Sequence, residues 1–373
     1  MKIYLHQNVF DAALDRIRWL FDEFPNIIVG MSGGKDSTVV FNLALQVAKE
    51  KGRLPLPVFF IDQEAEWASV ITFIRSIMNR PDVQPLWLQC PIKIFNATSN
   101  TDQWMHCWGP GEKWMREKEP NSIQVNRYGT DRFHDLFRAF LRVEFAGERA
   151  CYVSGVRCEE SPTRFSGLTK GNVFKGVTWG KPLDRRRGHY TFYPLYDWSY
   201  TDVWKAIHDN GWPYCAIYDA QYQHGMNVKD MRVSNVHHET SVKSLEYLQE
   251  VEAETWNALT ARLSGINTIG QMQGAWYIPK TLPPMFADWR EYRDHLFDNL
   301  ITDPVAREKM RAIFDVGERS IAEIYHEELF KLHVTMVLVN DYHGTKWSQF
   351  AMRNQPKRRS HQSWMKKRAE KRT

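Results

Sequence analysis

The side chains best suited to chemistry on a phosphate lie in one short segment, Ser32–Ser37, whose sequence is Ser-Gly-Gly-Lys-Asp-Ser. Glycines between a strand and a helix let backbone N–H groups close around an anion at the positive end of the helix. The segment is not a Walker A loop, because Asp36 stands where Ser or Thr would bind magnesium and Val29 stands where the first Gly belongs. We therefore expect a phosphate site of another kind, and the alternative is a glycine turn without a ligand.

A second set of candidate residues lies in the segment Gly155–Arg164. Its two arginines, Arg157 and Arg164, offer forked donors that suit phosphate or sulfate. The alternative is a structural ion pair of these arginines with Glu159 or Glu160. A basic stretch follows, which either adds positive charge to the site or forms a solvated surface, and it contains Lys170, Lys175, Lys181, Arg185, Arg186 and Arg187.

The elements that must position these residues alternate between strand and helix. Short apolar runs predict strands at 27–29, 57–61, 83–92, 151–153 and 190–195, and helical spacing predicts helices at 8–24, 38–51, 66–78, 133–145 and 201–210. Such an alternation predicts an α/β fold, a parallel twisted sheet with right-handed crossovers and helices on both faces. Ligands of such sheets bind at the carboxyl ends of the strands, so Ser32–Ser37 and Asp62–Glu64 should face one crevice.

The rest of the chain has a different character. Residues 93–127 are irregular and rich in Trp, and this segment is either a substrate-facing insertion or packing around Trp104, Trp108 and Trp114. After residue 236 the periodicity is only helical, and it predicts helices at 241–263, 284–297 and 304–330. Residues 353–373 include nine Lys or Arg and one Glu, which gives this segment a charge of +8. Since the whole chain carries +5, the remainder carries −3. We predict a nucleotide-binding domain at 1–235, a helical C-terminal lobe at 236–352 and a basic tail at 353–373.

Four motifs, in order along roughly residues 26–220, together resemble one family. Ser32–Ser37 resembles the PP-loop of ATP pyrophosphatases, and Gly155–Arg164 matches the GxRxxxSxxR pattern of the phosphoadenosine phosphosulfate (PAPS) reductase family within that superfamily. Phe59–Glu64 looks like the acidic end of the second strand of that family, and residues 193–219 are similar to its P-L-x-x-W-x-x-x-D-V-W segment. The resemblance implies an adenine nucleotide alpha hydrolase-like, Rossmann-like fold. In overall form the chain is similar to PAPS-reductase-like proteins with a long helical extension, the immunoglobulin-binding regulator A type.

The resemblance also implies a chemistry. It implies ATP or a PAPS-like adenine nucleotide bound with Mg²⁺, attack at the α-phosphate and release of pyrophosphate. Lys35, Asp36 and Arg157 would carry the catalysis, with Lys35 neutralising the charge of the pyrophosphate, and Asp36 and Asp62 would be the magnesium ligands. The nucleotide and its phosphates would contact Ser32, Gly33, Gly34, Lys35, Ser37, Asp62, Gly155, Arg157, Ser161 and Arg164.

The cysteines mark a departure from the family. PAPS reductases that make sulfite use a cysteine in a C-terminal Glu-Cys-Gly-Leu-His segment, and this chain has no cysteine after Cys215. We therefore do not expect thiol-dependent reduction of PAPS. Cys158 lies inside the arginine motif, where it either carries sulfur or is a small buried residue. The five cysteines contain no CxxC pair, which argues against a disulfide framework and against a cysteine-ligated metal.

Location and partners follow from other features. No apolar stretch is long enough for a signal peptide or a membrane span, so we expect a cytoplasmic protein without membrane contact. The segment 237–239, His-His-Glu, favours no metal site, because adjacent histidines point to different sides of a helix or strand. The tail predicts contact with DNA or RNA, or else a disordered solubilising segment.

Two functions are consistent with these observations. The first is an enzyme, a PP-loop ATP pyrophosphatase of adenylyl or sulfur transfer, whose acceptor the sequence does not identify and which works with a partner protein of a sulfur- or nucleotide-transfer system. The second is a nucleic-acid-binding or regulatory protein that uses the nucleotide pocket as a sensor or scaffold.

Overall fold

The structure is a computed structural model, and it describes residues 5–96, 104–233, 242–263, 279–321 and 325–354. The chain divides into two compact units. Unit 1 comprises residues 1–94, 106–235 and 250–255, and unit 2 comprises residues 95–105, 236–249 and 256–373. The predicted domain limits at 235 and 352 stay predictions. Among the helices in the described ranges, none is long and apolar enough to cross a bilayer.

Unit 1 is built on a six-stranded sheet. The strands of the described residues are β1 Asn26–Gly30, β2 Leu56–Ile61, β3 Val83–Leu88, β4 Ile92–Phe95, β5 Trp104–Cys107, β6 Ala150–Val153, β7 Gly180–Asp184 and β8 His189–Phe192. The sheet has the order β3-β2-β1-β6-β8-β7, and every neighbouring pair is parallel except β7 with β8. The predicted α/β class with a mostly parallel, Rossmann-like sheet is confirmed.

Helices alternate with the strands of unit 1, and further helices follow in the C-terminal part of the described residues. They are α1 Val9–Glu23, α2 Lys35–Glu50, α3 Ala68–Met78, α4 Phe133–Glu144, α5 Pro162–Thr169, α6 Tyr200–Asp209, α7 Ile217–Gln223, α8 Val242–Val251, α9 Ala253–Arg262, α10 Trp289–Leu300, α11 Pro304–Ile321, α12 His326–Leu338 and α13 Thr345–Arg353. The predicted C-terminal helices are therefore present in the parts of the chain that the structure describes.

Local sequence explains why the centre of the sheet forms. Ile27, Ile28 and Val29 of β1 are all buried, as a parallel strand covered on both faces requires. The preceding helix α1 begins at a side-chain cap, because the Asn8 side chain accepts a hydrogen bond from the Asp11 N–H at 2.9 Å. Its apolar residues at helical spacing are buried, and they are Ala13, Leu14, Ile17, Leu20 and Phe21.

The strand order creates a switch point beside β1. From β1 the chain proceeds to β2 and β3 on one side, and it later returns to β6 and β8 on the other side. In open parallel sheets the crevice at the carboxyl ends of such strands binds ligands. The segments that follow β1 and β6 are the two that contain the candidate motifs, Ser32–Ser37 and Gly155–Arg164.

Three elements differ from the sequence-based expectation. The third strand ends at Leu88, and Ile92–Phe95 is a separate strand, so the single strand predicted at 83–92 was wrong. The single helix expected at 304–330 is two helices, α11 and α12. Strand β7 was not predicted, because an antiparallel edge strand needs no continuous apolar run, and this one contains Lys181 and Pro182.

Unit 2 has its own apolar core. Its central cluster comes mainly from α10, α11 and α12 and contains Phe95, Phe297, Ile301, Ala306, Met310, Phe314, Met336, Val337 and Tyr342. Three polar residues join the same helices: the guanidinium of Arg293, which is buried, donates to Glu318 at 2.9 Å and to Nδ1 of His333 at 3.1 Å. Burial lowers the pKa of His333 to about 3, so this imidazole is neutral and accepts from the arginine.

Candidate functional site

The loop between β1 and α2 is closed by its own serines. The Ser37 hydroxyl donates to the carbonyl of Gly34 at 2.8 Å, and the Ser32 N–H donates to the Ser37 hydroxyl at 3.2 Å. Gly33 has a φ of +74°, and a Cβ there would lie 2.8 Å from Cγ1 of Val70. Only glycine suits that position, and the loop presents the start of α2 at the carboxyl edge of the sheet.

Lys35 is buried at the first turn of this helix. Its N–H donates to the hydroxyl of Tyr218 at 2.9 Å, and its ammonium donates to the carbonyl of Met231 at 3.3 Å. The same ammonium lies 3.4 Å from a carboxylate oxygen of Asp36. Burial lowers the pKa of Lys35, and the Asp36 carboxylate opposes that effect. The lysine is thus held next to the anion-binding end of α2.

Arg157 reaches the same helix start from the segment after β6. A Cβ on Gly155 would lie 2.7 Å from the carbonyl carbon and oxygen of Asp36, so the glycine allows the two segments to approach. Nε of Arg157 donates to one carboxylate oxygen of Asp36, and Nη1 donates to Glu159 at 2.9 Å. The structure therefore brings Lys35, Asp36 and Arg157 together, although 121 positions separate Asp36 from Arg157. The ion pair of Arg157 with Glu159, the alternative interpretation, is present as well.

Ser161 and Arg164 organise the short helix α5. The Ser161 hydroxyl accepts from the N–H of Arg164 at 3.2 Å, which makes Ser161 the N-cap of the helix. Arg164 pairs with Glu160, and about half of its side chain is exposed. Its predicted role at a phosphate stays a prediction, beside the ion pair that the structure contains.

Asp62, at the end of β2, is fully buried and surrounded by donors. One carboxylate oxygen accepts from the Glu64 N–H at 2.9 Å and from Arg116 at 2.5 Å, and the other accepts from Trp87 and Gln89, each at 2.9 Å. Magnesium needs carboxylate oxygens that are open to it. Asp62 in this arrangement does not fit a magnesium ligand, and the described residues contain no cluster of three His, Cys, Asp or Glu placed to hold a metal. Magnesium binding stays a prediction.

The Trp-rich segment closes over this acidic edge. The N–H of Trp108 donates to the carboxylate of Glu64 at 2.8 Å, and its indole N–H donates to the Asp62 carbonyl at 2.9 Å. Trp108 is buried, and the guanidinium of Arg116 lies 5.0 Å from its ring centroid. Trp114 meets Trp108 edge to face at 5.8 Å. Trp108 therefore packs against the ends of the strands, so for this residue the structure favours packing over a substrate-facing role.

Glu66 is a buried carboxyl group beside this cluster. Burial first, and then the charge of Asp62, raise the pKa of Glu66 to about 8, and the charge of Arg116 opposes the shift. At neutral pH this side chain is therefore largely protonated. Sequence reasoning did not single it out, because an acid two positions beyond Glu64 carries no motif of its own.

Part of the basic stretch lies at the opposite edge of the sheet. In the β7–β8 pairing Gly180 is opposite Phe192 and Asp184 is opposite His189. Since β8 runs parallel to β6, the turn at 185–188 lies at the amino end of β8, away from the carboxyl ends. Its arginines cannot contribute to the site at the carboxyl ends, so the solvated-surface interpretation holds for them.

Comparison with known sequences decides the family. The profile of the phosphoadenosine phosphosulfate reductase domain matches residues 26–225, more than half of the chain. The chain belongs to this family. Membership makes it a PP-loop, adenine-nucleotide-binding protein of the PAPS reductase kind.

Two curated proteins and a solved structure are similar to parts of this chain. The chain is 28% identical over 308 residues to the uncharacterized protein YbdN of Escherichia coli K12, covering 78% of this chain and 75% of that protein. It is 24% identical over 217 residues to the adenosine 5′-phosphosulfate reductase of Lysinibacillus sphaericus, covering 57% and 77%. A solved structure, the FMN adenylyltransferase of Candida glabrata, aligns with a TM-score of 0.35 at 17% identity, covering 58% of this chain and 62% of that one. The likeness to the immunoglobulin-binding regulator A type stays a prediction.

Cys158 of this PAPS reductase domain is neither buried nor fully exposed. It opens a short 3₁₀ helix, Cys158–Glu160, and its N–H donates to the carbonyl of Tyr196 at 2.9 Å. The other four cysteines are buried. The segment 237–239 and the tail beyond residue 354 lie outside the described residues, so their predicted roles are not addressed by the structure.

Sequence reasoning missed the residues that enclose Lys35. Tyr218 lay inside a motif of the PAPS reductase family, yet nothing in the sequence indicates that its hydroxyl accepts from the first N–H of α2. Met231 contacts Lys35 through a backbone carbonyl, which leaves no signature in residue type. Arg116 carried no signal beyond its place in a Trp-rich segment.

Proposed function

We propose that this PAPS reductase domain binds ATP or a related adenine nucleotide and promotes attack of an acceptor on the α-phosphorus. The acceptor forms a bond to phosphorus as the bond to the α–β bridging oxygen breaks, and the electron pair leaves with pyrophosphate. The product is an adenylylated acceptor, which is open to sulfur or another nucleophile. The reaction therefore belongs to adenylyl or sulfur transfer.

One observation carries this proposal: Lys35, Asp36 and Arg157 converge at the N-terminus of α2. Two cations and the helix dipole there would stabilise the negative charge that accumulates on departing pyrophosphate. Asp36 sits between both cations and orients them before the nucleotide binds. Such a site acts by positioning and by neutralising charge, as in other phosphoryl and nucleotidyl transfers.

Reduction of PAPS with a protein thiol is not part of this proposal. The chain has no cysteine after Cys215, and burial raises the pKa of the Cys215 thiol to about 11. A thiol with that pKa is not a thiolate at neutral pH. We therefore do not expect Cys215 to act as the thiol in a reduction of PAPS.

The test is pyrophosphate release from ATP with Mg²⁺, with sulfate, tRNA or DNA added separately as acceptors. Asp36→Asn keeps the size of the side chain but removes the charge that holds Arg157, and we expect at least a hundredfold loss of release. Asp22→Asn is the matched control, since Asp22 is an exposed carboxylate at the end of α1 that pairs with Lys51. It should retain full turnover.

Either result is informative. Release that depends on Asp36 and rises with one acceptor supports the pyrophosphatase and identifies its acceptor class. ATP binding without pyrophosphate release under any of these conditions contradicts the proposed reaction.

The alternative function rests on the basic tail, residues 353–373, with its charge of +8. Clustered Lys and Arg neutralise nucleic-acid phosphates and give a salt-dependent affinity that is independent of base sequence. Deleting the tail separates the two functions. An enzyme acting on a small molecule keeps its turnover after the deletion, whereas a nucleic-acid binder loses its salt-sensitive affinity for DNA or RNA.

A further inference from the structure

A short segment after α7 lies on the start of α2. The carbonyl of Met231 accepts from the ammonium of Lys35 at 3.3 Å. The Tyr218 hydroxyl, which accepts from the Lys35 N–H at 2.9 Å, is also hydrogen-bonded by the backbone of Val233. The residues on both sides of Arg232 are therefore hydrogen-bonded to Lys35 or to the tyrosine that holds it. Arg232 itself must therefore lie beside the loop between β1 and α2, residues 32–37.

The backbone of this segment is fixed by interactions within unit 1. The side chain of Gln221, which is fully buried, donates to the carbonyl of Arg232 at 3.0 Å. Asn227 closes the preceding turn, since its carbonyl accepts from the Asp230 N–H at 2.8 Å. Its side chain also accepts from the Lys229 N–H at 3.0 Å. Hydrogen bonds thus tie the backbone on the N-terminal side of Arg232, and the carbonyl of Arg232 itself, to neighbouring residues of unit 1.

The guanidinium of Arg232 is available for a ligand. Its side chain is exposed, and among the described residues its one polar contact is from Nε to the carbonyl of Asp230 at 3.4 Å. Arg157 and Arg164 are both paired with carboxylates, whereas no carboxylate among the described residues pairs with Arg232. Arg232 is close enough to the site for its charge to lower the pKa of both Lys35 and Arg164, although burial lowers each of these pKa values more.

We propose that Arg232 is a further phosphate-binding residue of the site, which contacts the polyphosphate of the adenine nucleotide opposite Lys35 and Arg157. The proposal rests on the function proposed above. A guanidinium forms two parallel hydrogen bonds to one phosphate group, and the other cations of the site already share their charge with Asp36, Glu159 or Glu160. Arg232 thus supplies the charge that the carboxylates of the site do not cancel.

The experiment uses inorganic pyrophosphate as the probe and the full chain as the protein. Titration calorimetry should show that Arg232→Ala weakens pyrophosphate binding at least tenfold and reduces its dependence on salt concentration. Lys229→Ala is the matched control, because Lys229 is an exposed cation three positions away in the same segment. It should change the dissociation constant less than twofold. Arg232→Lys should restore part of the affinity, and both alanine variants should retain the melting temperature of the parent.

The outcomes separate this inference from the proposed reaction. If Arg232→Ala and Lys229→Ala bind pyrophosphate equally well, or if the parent protein does not bind it, the inference is overturned, even when ATP is still cleaved. If Arg232→Ala alone loses pyrophosphate binding, the inference is supported, even when the parent releases no pyrophosphate from ATP and the proposed reaction fails.

Discussion

Asp62→Asn tests whether the carboxylate at the end of β2 is structural or a metal ligand. The side chain is fully buried and accepts four hydrogen bonds, two on each oxygen. Asparagine keeps one acceptor oxygen but replaces the other with an amide that is itself a donor. Two of the four donors around this side chain then meet the amide NH₂ and have no acceptor. The guanidinium of Arg116 also loses the negative charge that it pairs with.

The magnitude follows from these contacts. Each buried donor left without an acceptor costs about 1–3 kcal/mol, and removing one partner of a buried ion pair costs about 3–5 kcal/mol. The two effects share the same atoms and do not add. Arg116 is also one-fifth exposed, so water relieves part of the loss. We expect the free energy of unfolding of unit 1 to fall by about 3–5 kcal/mol.

The assay is urea unfolding followed by tryptophan fluorescence, since Trp87 and Trp108 both contact Asp62 and report on this edge of the sheet. Asp22→Asn is the control of equal chemical change. Its carboxylate is 61% exposed, and surface substitutions of this kind alter stability by less than about 0.5 kcal/mol.

One result refutes the reasoning. If Asp62→Asn unfolds at the same urea concentration as the control but loses Mg²⁺-dependent pyrophosphate release, Asp62 is a metal ligand. The four hydrogen bonds would then be dispensable to the fold.

Three other substitutions test separate parts of the molecule. Gly33→Ala should lower the free energy of unfolding in urea by about 1–2 kcal/mol more than Gly111→Ala does. Both glycines have φ values between +74° and +79°, but only a Cβ at Gly33 would meet another side chain, so equal losses would contradict this reasoning. Glu66 keeps its proton in the folded protein up to about pH 8, whereas the unfolded chain releases it above about pH 5. The free energy of unfolding should therefore fall as pH rises from about 5 to 8, by at most about 1.4 kcal/mol per pH unit. Glu66→Gln should flatten that slope, and parallel pH profiles of the variant and the parent would refute the assignment. In unit 2, Arg293→Ala should lower the free energy of unfolding by about 3 kcal/mol. This is the lower end of the range for a buried ion pair, because Glu318 is a quarter exposed. A loss below about 1 kcal/mol in thermal unfolding would show that the ion pair of Arg293 with Glu318 is not stabilising.

Much of the fold could be predicted because its signals are local. The apolar run Ile27–Val29, the glycines after it and the helix that follows are neighbours in sequence, and each is recognised by residue type and period alone. The edge strand β7 has no such signal, since its pairing with β8 supplies the hydrogen bonds that define it.

The candidate site divides in the same way. The segments Ser32–Ser37 and Gly155–Arg164 were predicted separately, and the parallel sheet explains why both lie at the edge formed by the carboxyl ends of its strands. The contacts of Asp62 were not predictable, because a carboxylate at a strand end is equally suited to a metal and to buried donors. Trp87, Gln89 and Arg116 decide between them, and they come from distant positions.

The sequence by itself therefore determined the family, the strand–helix alternation and the residues available for phosphate chemistry, because periodicity and glycine placement act over a few residues. Tertiary structure alone decided which charges meet: Arg157 pairs with Asp36, Asp62 is enclosed by donors, and Met231 places Arg232 beside Lys35. The physical reason is that these interactions join residues far apart along the chain, and the energy of a buried charge depends on the partners that folding brings to it.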